Sequence, residues 1–269
     1  MPLTDKVAIV TGAANGIGRA IASEFARANA KVIIADRDEA GGQSLYEELK
    51  KEGREVEFIH CDISERLDVL NLMAATLEAY NEVNIVVNAA AIKDDTPFLE
   101  LSDSQFESVL NVNLKGAFML GKAAAQQMAT QIEAGGEPGV ILFITSIHTV
   151  LAEPNAVAYS VANGGIGQLT KAMSQALASL GIRVNAIAHS NIWGQELEES
   201  IGSDALKDKH LERVPLGRFG DPSEIAPIAS FLVSKAASYI TGQSIYADGG
   251  ALSVLSSIKH SFKSKEEEN

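Results

Sequence analysis

The chain is 269 residues long and 46% hydrophobic, which is enough apolar matter for a sizeable core. Lysine and arginine number 22 against 35 aspartates and glutamates, giving a formal net charge of -13. That balance excludes a nucleic-acid binder, which needs a basic face, and an anionic membrane would repel it. The one cysteine, Cys61, excludes an intrachain disulfide and is expected as a small buried thiol. The opening residues Met1-Pro2-Leu3-Thr4-Asp5-Lys6 lack the basic-then-apolar layout of a signal peptide. Apolar runs are too short to span a bilayer, so the cytoplasm is the expected location. No metal site is expected.

In chain order, Val7–Val10 reads as a strand, Gly16–Asn29 as a helix and Lys31–Ala35 as a second strand. Glu39–Lys51 is helical, with its charges on one side, and Val56–His60 is the third strand. Helices follow at Ser64–Tyr80, Ser102–Met128, Val157–Leu180 and Pro222–Ser234. Further strands lie near Ile85, Val140, Arg183 and Ser244. Strands without polar alternation are buried on both faces. Their alternation with helices implies parallel pairing through right-handed crossovers. The fold class is therefore α/β, a doubly wound parallel sheet of about seven strands with helices on both faces. No linker or repeat divides the chain, so 1–258 is expected to be one domain and the polar stretch 259–269 a mobile tail.

In such sheets ligands bind beyond the carboxyl ends of the strands. After the first strand comes Thr11-Gly12-Ala13-Ala14-Asn15-Gly16-Ile17-Gly18. Glycines there allow a tight turn and close backbone approach to a phosphate, and the next helix offers free N–H groups and a positive dipole end. Because this cluster sits between the first strand and helix of a βαβ unit, it points to a dinucleotide. Asp36 ends the second strand, where a carboxylate can accept both adenosine ribose hydroxyls and repel a 2′-phosphate. Arg37 is the opposing clue, either a partner for that phosphate or a solvated loop charge. NAD is favoured over NADP. Ser146 follows the fifth strand, and Tyr159 stands at the start of a long helix.

The Thr-Gly-x-x-x-Gly-Ile-Gly spacing resembles the signature of the short-chain dehydrogenase/reductase family. The resemblance runs from Lys6 to about Gly250. It takes in Asn111-Val112-Asn113-Leu114, Ser146, Tyr159, Pro215-Leu216-Gly217-Arg218, Tyr239-Ile240-Thr241-Gly242-Gln243 and Asp248-Gly249-Gly250. It implies a Rossmann fold and a nicotinamide cofactor bound by Gly12, Asn15, Gly16, Ile17, Gly18 and Asp36. Family members that use NADP often have a basic residue where this chain has Asn15. Asp62 and Ile63 would border the adenine, although Asp62 or Ser64 is equally a cap for the next helix. Asn88 and Ala89 match an Asn-Asn-Ala-Gly motif whose last position is Ala90 here. Ile192 would lie beside the nicotinamide.

The resemblance further implies Tyr159 as general acid/base and cofactor contact, Ser146 as the group holding the substrate oxygen, and Asn113 as the residue that distorts a helix and holds a relay water. Where the family has a lysine four residues after the tyrosine, this chain has Asn163. An ammonium about 4 Å from the phenol, at an effective dielectric of about 20, favours tyrosinate by about 4 kcal/mol, roughly three pKa units. Asparagine supplies no charge, so acid/base efficiency near neutrality should fall, although its amide can still bond the nicotinamide ribose. Restoring lysine at 163 should recover the charge.

The usual Pro-Gly after the sixth strand is His189-Ser190, followed by Asn191-Ile192-Trp193. His189 either titrates near neutrality in place of the missing base or is an ordinary loop residue. His148 is a candidate substrate contact. Trp193 and Leu197 are either an apolar substrate wall or lid packing, within a lid region near 190–214. Gly164, Gly165 and Gly167 on the helix after Tyr159 suggest close approach to a second copy or to the chain's own sheet. By resemblance a homotetramer is favoured. Three functions remain open. The first is an NAD(H)-dependent oxidoreductase acting on a small alcohol or carbonyl, with weakened catalysis. The second is an NAD-binding pseudoenzyme or partner subunit, and the third a non-redox lyase or dehalogenase on the same fold.

Overall fold

The computed structural model describes residues 2–194 and 204–254, with backbone alone at 204–206. Seven strands form one sheet: β1 (Val7–Thr11), β2 (Lys31–Asp36), β3 (Val56–His60), β4 (Ile85–Asn88), β5 (Val140–Ser146), β6 (Arg183–His189) and β7 (Ser244–Ala247). Their order is β3-β2-β1-β4-β5-β6-β7, and every neighbouring pair is parallel. The helices between them are α1 (Gly16–Arg27), α2 (Glu39–Lys51), α3 (Arg66–Tyr80), α4 (Asp103–Leu110), α5 (Ala117–Glu133), α6 (Val157–Leu177), α7 (Asp204–Leu211) and α8 (Pro222–Val233). Successive strands are added outward on one side of β1 through β3 and on its other side from β4 on, which makes the carboxyl ends of β1 and β4 the switch point. This is the doubly wound Rossmann architecture.

Two apolar layers sandwich the sheet. Ala8 and Val10 of β1, Val32 and Ile34 of β2 and Leu142 of β5 pack toward Ile21 and Phe25 of α1 and Ile225 and Leu232 of α8. Ile9, Ile33, Ile141 and Phe143 face the other way, toward Leu72 of α3, Leu120 and Met128 of α5 and Ile166 of α6. Successive strand side chains point to opposite faces, so the unbroken apolar runs supply both layers at once.

Three boundaries differ from the sequence reading. The helix expected over Ser102–Met128 is interrupted by a π-helical stretch, Asn111–Gly116, between α4 and α5. The Asn113 amide bonds both backbone groups of Ile92: Nδ2 donates to its carbonyl and Oδ1 accepts from its N–H, each at 2.8 Å. At Gly116 a Cβ would stand 2.9 Å from Ile63. Periodicity within one helix cannot register either contact. The helix after β3 begins at Arg66, not Ser64, with Glu65 at its N-cap. Asp62 Oδ1 accepts from the N–H and hydroxyl of Ser64 instead, at 2.8 and 2.7 Å, so neither residue caps the helix. Third, His189 belongs to β6 rather than to a loop. The expected lid near 190–214 falls partly, and Leu197 and the 259–269 tail wholly, outside the described residues.

Candidate active site

The loop from Thr11 to Gly18 turns tightly against the end of β4. A Cβ on Gly12, whose φ is +65°, would stand 2.6 Å from the Ala90 nitrogen, and one on Gly18 would collide with the Gly12 carbonyl. Gly16, at φ +52°, faces open space. Asn15 is the N-cap residue of α1, yet its side chain makes no capping bond. The first-turn N–H groups of α1 are therefore left for another acceptor, and a pyrophosphate is the acceptor that such a terminus suits. Thr11 Oγ1 donates to Asn88 Oδ1 at 2.6 Å, stitching β1 to β4 at the switch point. Asp36 is half-buried, and its Oδ2 accepts from Ala14 N–H at 2.9 Å. The loop, Asn88, Ala89 and Asp36 thus come together as a cradle that fits a dinucleotide. Ile63 is buried in the apolar layer, so only its backbone is available to an adenine.

Across the switch point, Ser146 ends β5 and is buried, while Tyr159 is half-buried in the first turn of α6. Asn163, one helical turn on, is 3% exposed. Its Oδ1 accepts from the Thr145 hydroxyl at 2.6 Å and from Ser146 N–H at 3.1 Å. Its Nδ2 donates to the Tyr159 carbonyl at 2.9 Å. The amide thus ties the end of β5 to the start of α6. With its oxygen doubly engaged and its nitrogen keeping one spare proton, it offers a nicotinamide ribose far less than the sequence suggested. Sequence reasoning missed Thr145, whose only signal was its place beside Ser146.

His148 is buried in the turn after β5. Its Nδ1 lies 3.0 Å from Ser160 Oγ, its Nε2 is 3.8 Å from Glu153 Oε2, and its ring meets Tyr159 edge-on at 5.3 Å. Burial pushes its pKa down, against a smaller upward pull from Glu153. His189 stands opposite Ser146 in the β5–β6 register. Its Nδ1 lies 2.7 Å from the Ser190 carbonyl and so carries the proton. Burial holds this imidazole below its ordinary pKa too. That direction weighs against His189 as a base that titrates near neutrality.

Trp193 N–H donates to the Gly220 carbonyl at 2.7 Å, beside an Ile192–Gly220 bridge. The Trp193 indole packs on Phe219 at 5.5 Å, with Lys207 Nζ 5.2 Å from its centre. Of the helix glycines, a Cβ on Gly165 would press on Leu114 and one on Gly167 would touch Thr149, whereas Gly164 faces open space. Cys61 is buried and free, and burial with the nearby carboxylates pushes its thiol up to about 12, which leaves it unreactive.

Comparison with known proteins decides the family. The family model described as enoyl-(acyl carrier protein) reductase matches residues 12–251. Glucose 1-dehydrogenase 2 of Bacillus subtilis is 34% identical over 251 residues, covering 92% of this chain and 95% of that protein. The chain belongs to the short-chain dehydrogenase/reductase family. The 3-oxoacyl-[acyl-carrier-protein] reductase FabG of Chlamydia trachomatis is 38% identical over 249 residues, covering 92% and 98% of the two chains. A solved structure from Beutenbergia cavernae is assigned provisionally as an NAD(P)-dependent gluconate 5-dehydrogenase and holds NADP at low occupancy. It superposes with a TM-score of 0.88 at 32% identity, covering 94% of this chain and 99% of that one. At the family level the chain is a dehydrogenase/reductase. Among the described residues no helix is long and apolar enough to cross a membrane.

Proposed function

We propose that the chain is an NAD(H)-dependent oxidoreductase that interconverts a small alcohol and its ketone or aldehyde, with weakened catalysis. One observation carries the reading: the cradle at the switch point keeps its open glycine and its carboxylate, while position 163 holds an engaged amide in place of a cation. The bound nicotinamide would supply or accept the hydride. Ser146 holds the substrate oxygen, and the Tyr159 hydroxyl gives or takes its proton. Asn113, fixed on Ile92, shapes the π segment that faces the relay. Asn163 supplies no ammonium one helical turn from Tyr159, so the charge that would favour tyrosinate does not come from that position. His148, edge-on to Tyr159, and His189, opposite Ser146 in the β5–β6 register, border the substrate oxygen, and Trp193 walls the far side.

The test is calorimetric titration with NADH and NADPH, then a turnover screen over alcohols, sugars, steroids and ketoacyl thioesters. NADH binding at least tenfold tighter than NADPH, with slow turnover of one class, is the expected result. Binding without turnover favours the second reading, an NAD-binding pseudoenzyme. The observation behind that reading is that Asn163 already has a structural task, tying the end of β5 to the start of α6.

We further propose a single domain over 1–258, cytoplasmic, assembled as a homotetramer. A groove of about 530 Å³ between the π segment, α5 and α6 is lined by Leu110, Leu114, Phe118, Gly165, Leu169 and Ala172. Phe118 is 47% exposed there, an apolar face suited to a second copy. Light scattering checks this, and a 28.5 kDa particle would refute it.

A further inference from the structure

A second carboxylate stands at the adenosine corner of the cradle. Asp36 Oδ1 accepts from the N–H of Asp38 at 2.9 Å. Asp38 caps α2, its Oδ1 accepting from Gly41 N–H at 3.0 Å, and its Oδ2 accepts from Asn15 Nδ2 at 3.3 Å. The bonds therefore run from Ala14 to Asp36, to Asp38, and back to Asn15 on the same glycine loop. The corner is tight, since a Cβ on Gly41 would stand 2.5 Å from Asp38 Oδ2 and 2.9 Å from the Ala14 methyl.

Two of the donors near this corner are committed, whereas Arg37 is exposed between the two carboxylates. Asn15 carries the loop's side-chain amide, and Asp38 takes it. Arg19 directs Nη1 to the Ala14 and Gly41 carbonyls, at 3.3 and 3.5 Å, and Nη2 to Glu48 at 2.6 Å. An anion entering here would meet two negative groups and find Arg19 paired, with exposed Arg37 as the cation against which the two carboxylates compete.

We infer that Asp38 is a second determinant of cofactor selectivity, acting with Asp36 against the 2′-phosphate of NADP. It acts by its own charge and by holding the Asn15 amide away from any anion. Neutralising Asp36 alone leaves one carboxylate at the corner, so that change by itself does not produce an NADP-preferring protein. The inference rests on the dinucleotide reading above.

The experiment measures NADH and NADPH affinity by calorimetry on the full-length wild type and on Asp38→Asn and Asp38→Ser. Both replacements are good N-caps, so α2 keeps its start. Removing one charge facing a phosphate of nearly two should raise the NADPH-to-NADH affinity ratio by about tenfold at low salt, and less at high salt. NADH affinity should stay within about threefold, since a cap has been replaced by a cap. If both affinities fall together, or the ratio does not move while NADH still binds, Asp38 is only a helix cap and the inference is overturned. If the wild type binds neither dinucleotide, the cofactor reading itself fails and takes the inference with it.

Discussion

On the β1–β2 side of the switch point, the candidate site is made largely of backbone. Gly12 and Gly18 leave no room for a side chain, Gly16 opens the loop, and Asp36 is fixed by an N–H of the same loop. On the β5–β6 side the site is made of side chains in a buried polar network: Ser146, Thr145 and Asn163 in one cluster, His148, Ser160 and Tyr159 in another. The first kind of site has few workable alternatives, because a Cβ at Gly12 or Gly18 meets backbone. The second tolerates exchange, because a new polar residue can be satisfied by neighbours. Asn163 is satisfied in this way. It brings no charge, yet all its protein partners are well placed. Asn163 ties the first turn of α6 to the end of β5 without bringing a charge.

The largest effect should come from the catalytic side. Tyr159→Phe should lower turnover of any accepted substrate by about 10²–10⁴-fold, the usual worth of a general acid/base, with NADH affinity little changed. Steady-state kinetics beside calorimetry checks it, and unchanged turnover would move the proton chemistry to His148 or His189. On the cofactor side, Gly12→Ala places a Cβ 2.6 Å from the Ala90 nitrogen at a φ of +65°. NADH binding should be lost or weakened more than a hundredfold, because the loop must shift, at a cost of order 1–3 kcal/mol for the backbone conformation alone.

Asn163→Lys sharpens the comparison by separating geometry from charge. Lysine cannot accept, so the Thr145 hydroxyl and Ser146 N–H lose their partner, and each buried orphan costs about 1–3 kcal/mol. Stability should therefore fall by about 2–4 kcal/mol in denaturant melts. Where the ammonium reaches Tyr159, the basic limb of the pH–rate profile should move toward neutrality, and Tyr159→Phe in that background should cancel the gain. The rescue expected from sequence alone thus comes with a structural cost.

The smallest effect concerns pH. His148 and His189 have folded-state pKa values pushed below the ordinary 6.5 by burial. Below about pH 6.5 the unfolded chain binds protons that these buried rings refuse, so stability falls with pH until the folded pKa is reached. Each ring contributes at most about 1.4 kcal/mol per pH unit in that window. His148→Asn and His189→Asn, compared by thermal melts at pH 7.5 and at more acid values, should each flatten the slope. A slope unchanged by both would place the acid lability elsewhere.

The strand and helix order was legible because local patterns carry it. Unbroken apolar runs such as Val7–Val10 mark strands buried on both faces, and glycine spacing marks the loop over α1. The π segment at Asn111–Gly116 was not legible from periodicity, since its causes lie in Ile92 and Ile63 on other elements. His189 read as a loop residue because its neighbours Ser190 and Asn191 are turn formers, but pairing with β5 carries the strand one residue further than pattern suggests. The Asp38–Asn15 bond went unread because the two residues look unremarkable apart and belong to different loops.

By itself the sequence determined the doubly wound sheet, the place of the glycine loop between β1 and α1, and the amide at 163. These follow from side-chain chemistry and from spacings within a few residues. Only the tertiary structure decided what Asn163 does instead. Its partners Thr145 and Ser146 lie 18 and 17 residues away in the chain and meet it only when α6 packs against the end of β5. A short amide can bond in many ways, and which bonds form depends on which unsatisfied donors the packed sheet brings within reach.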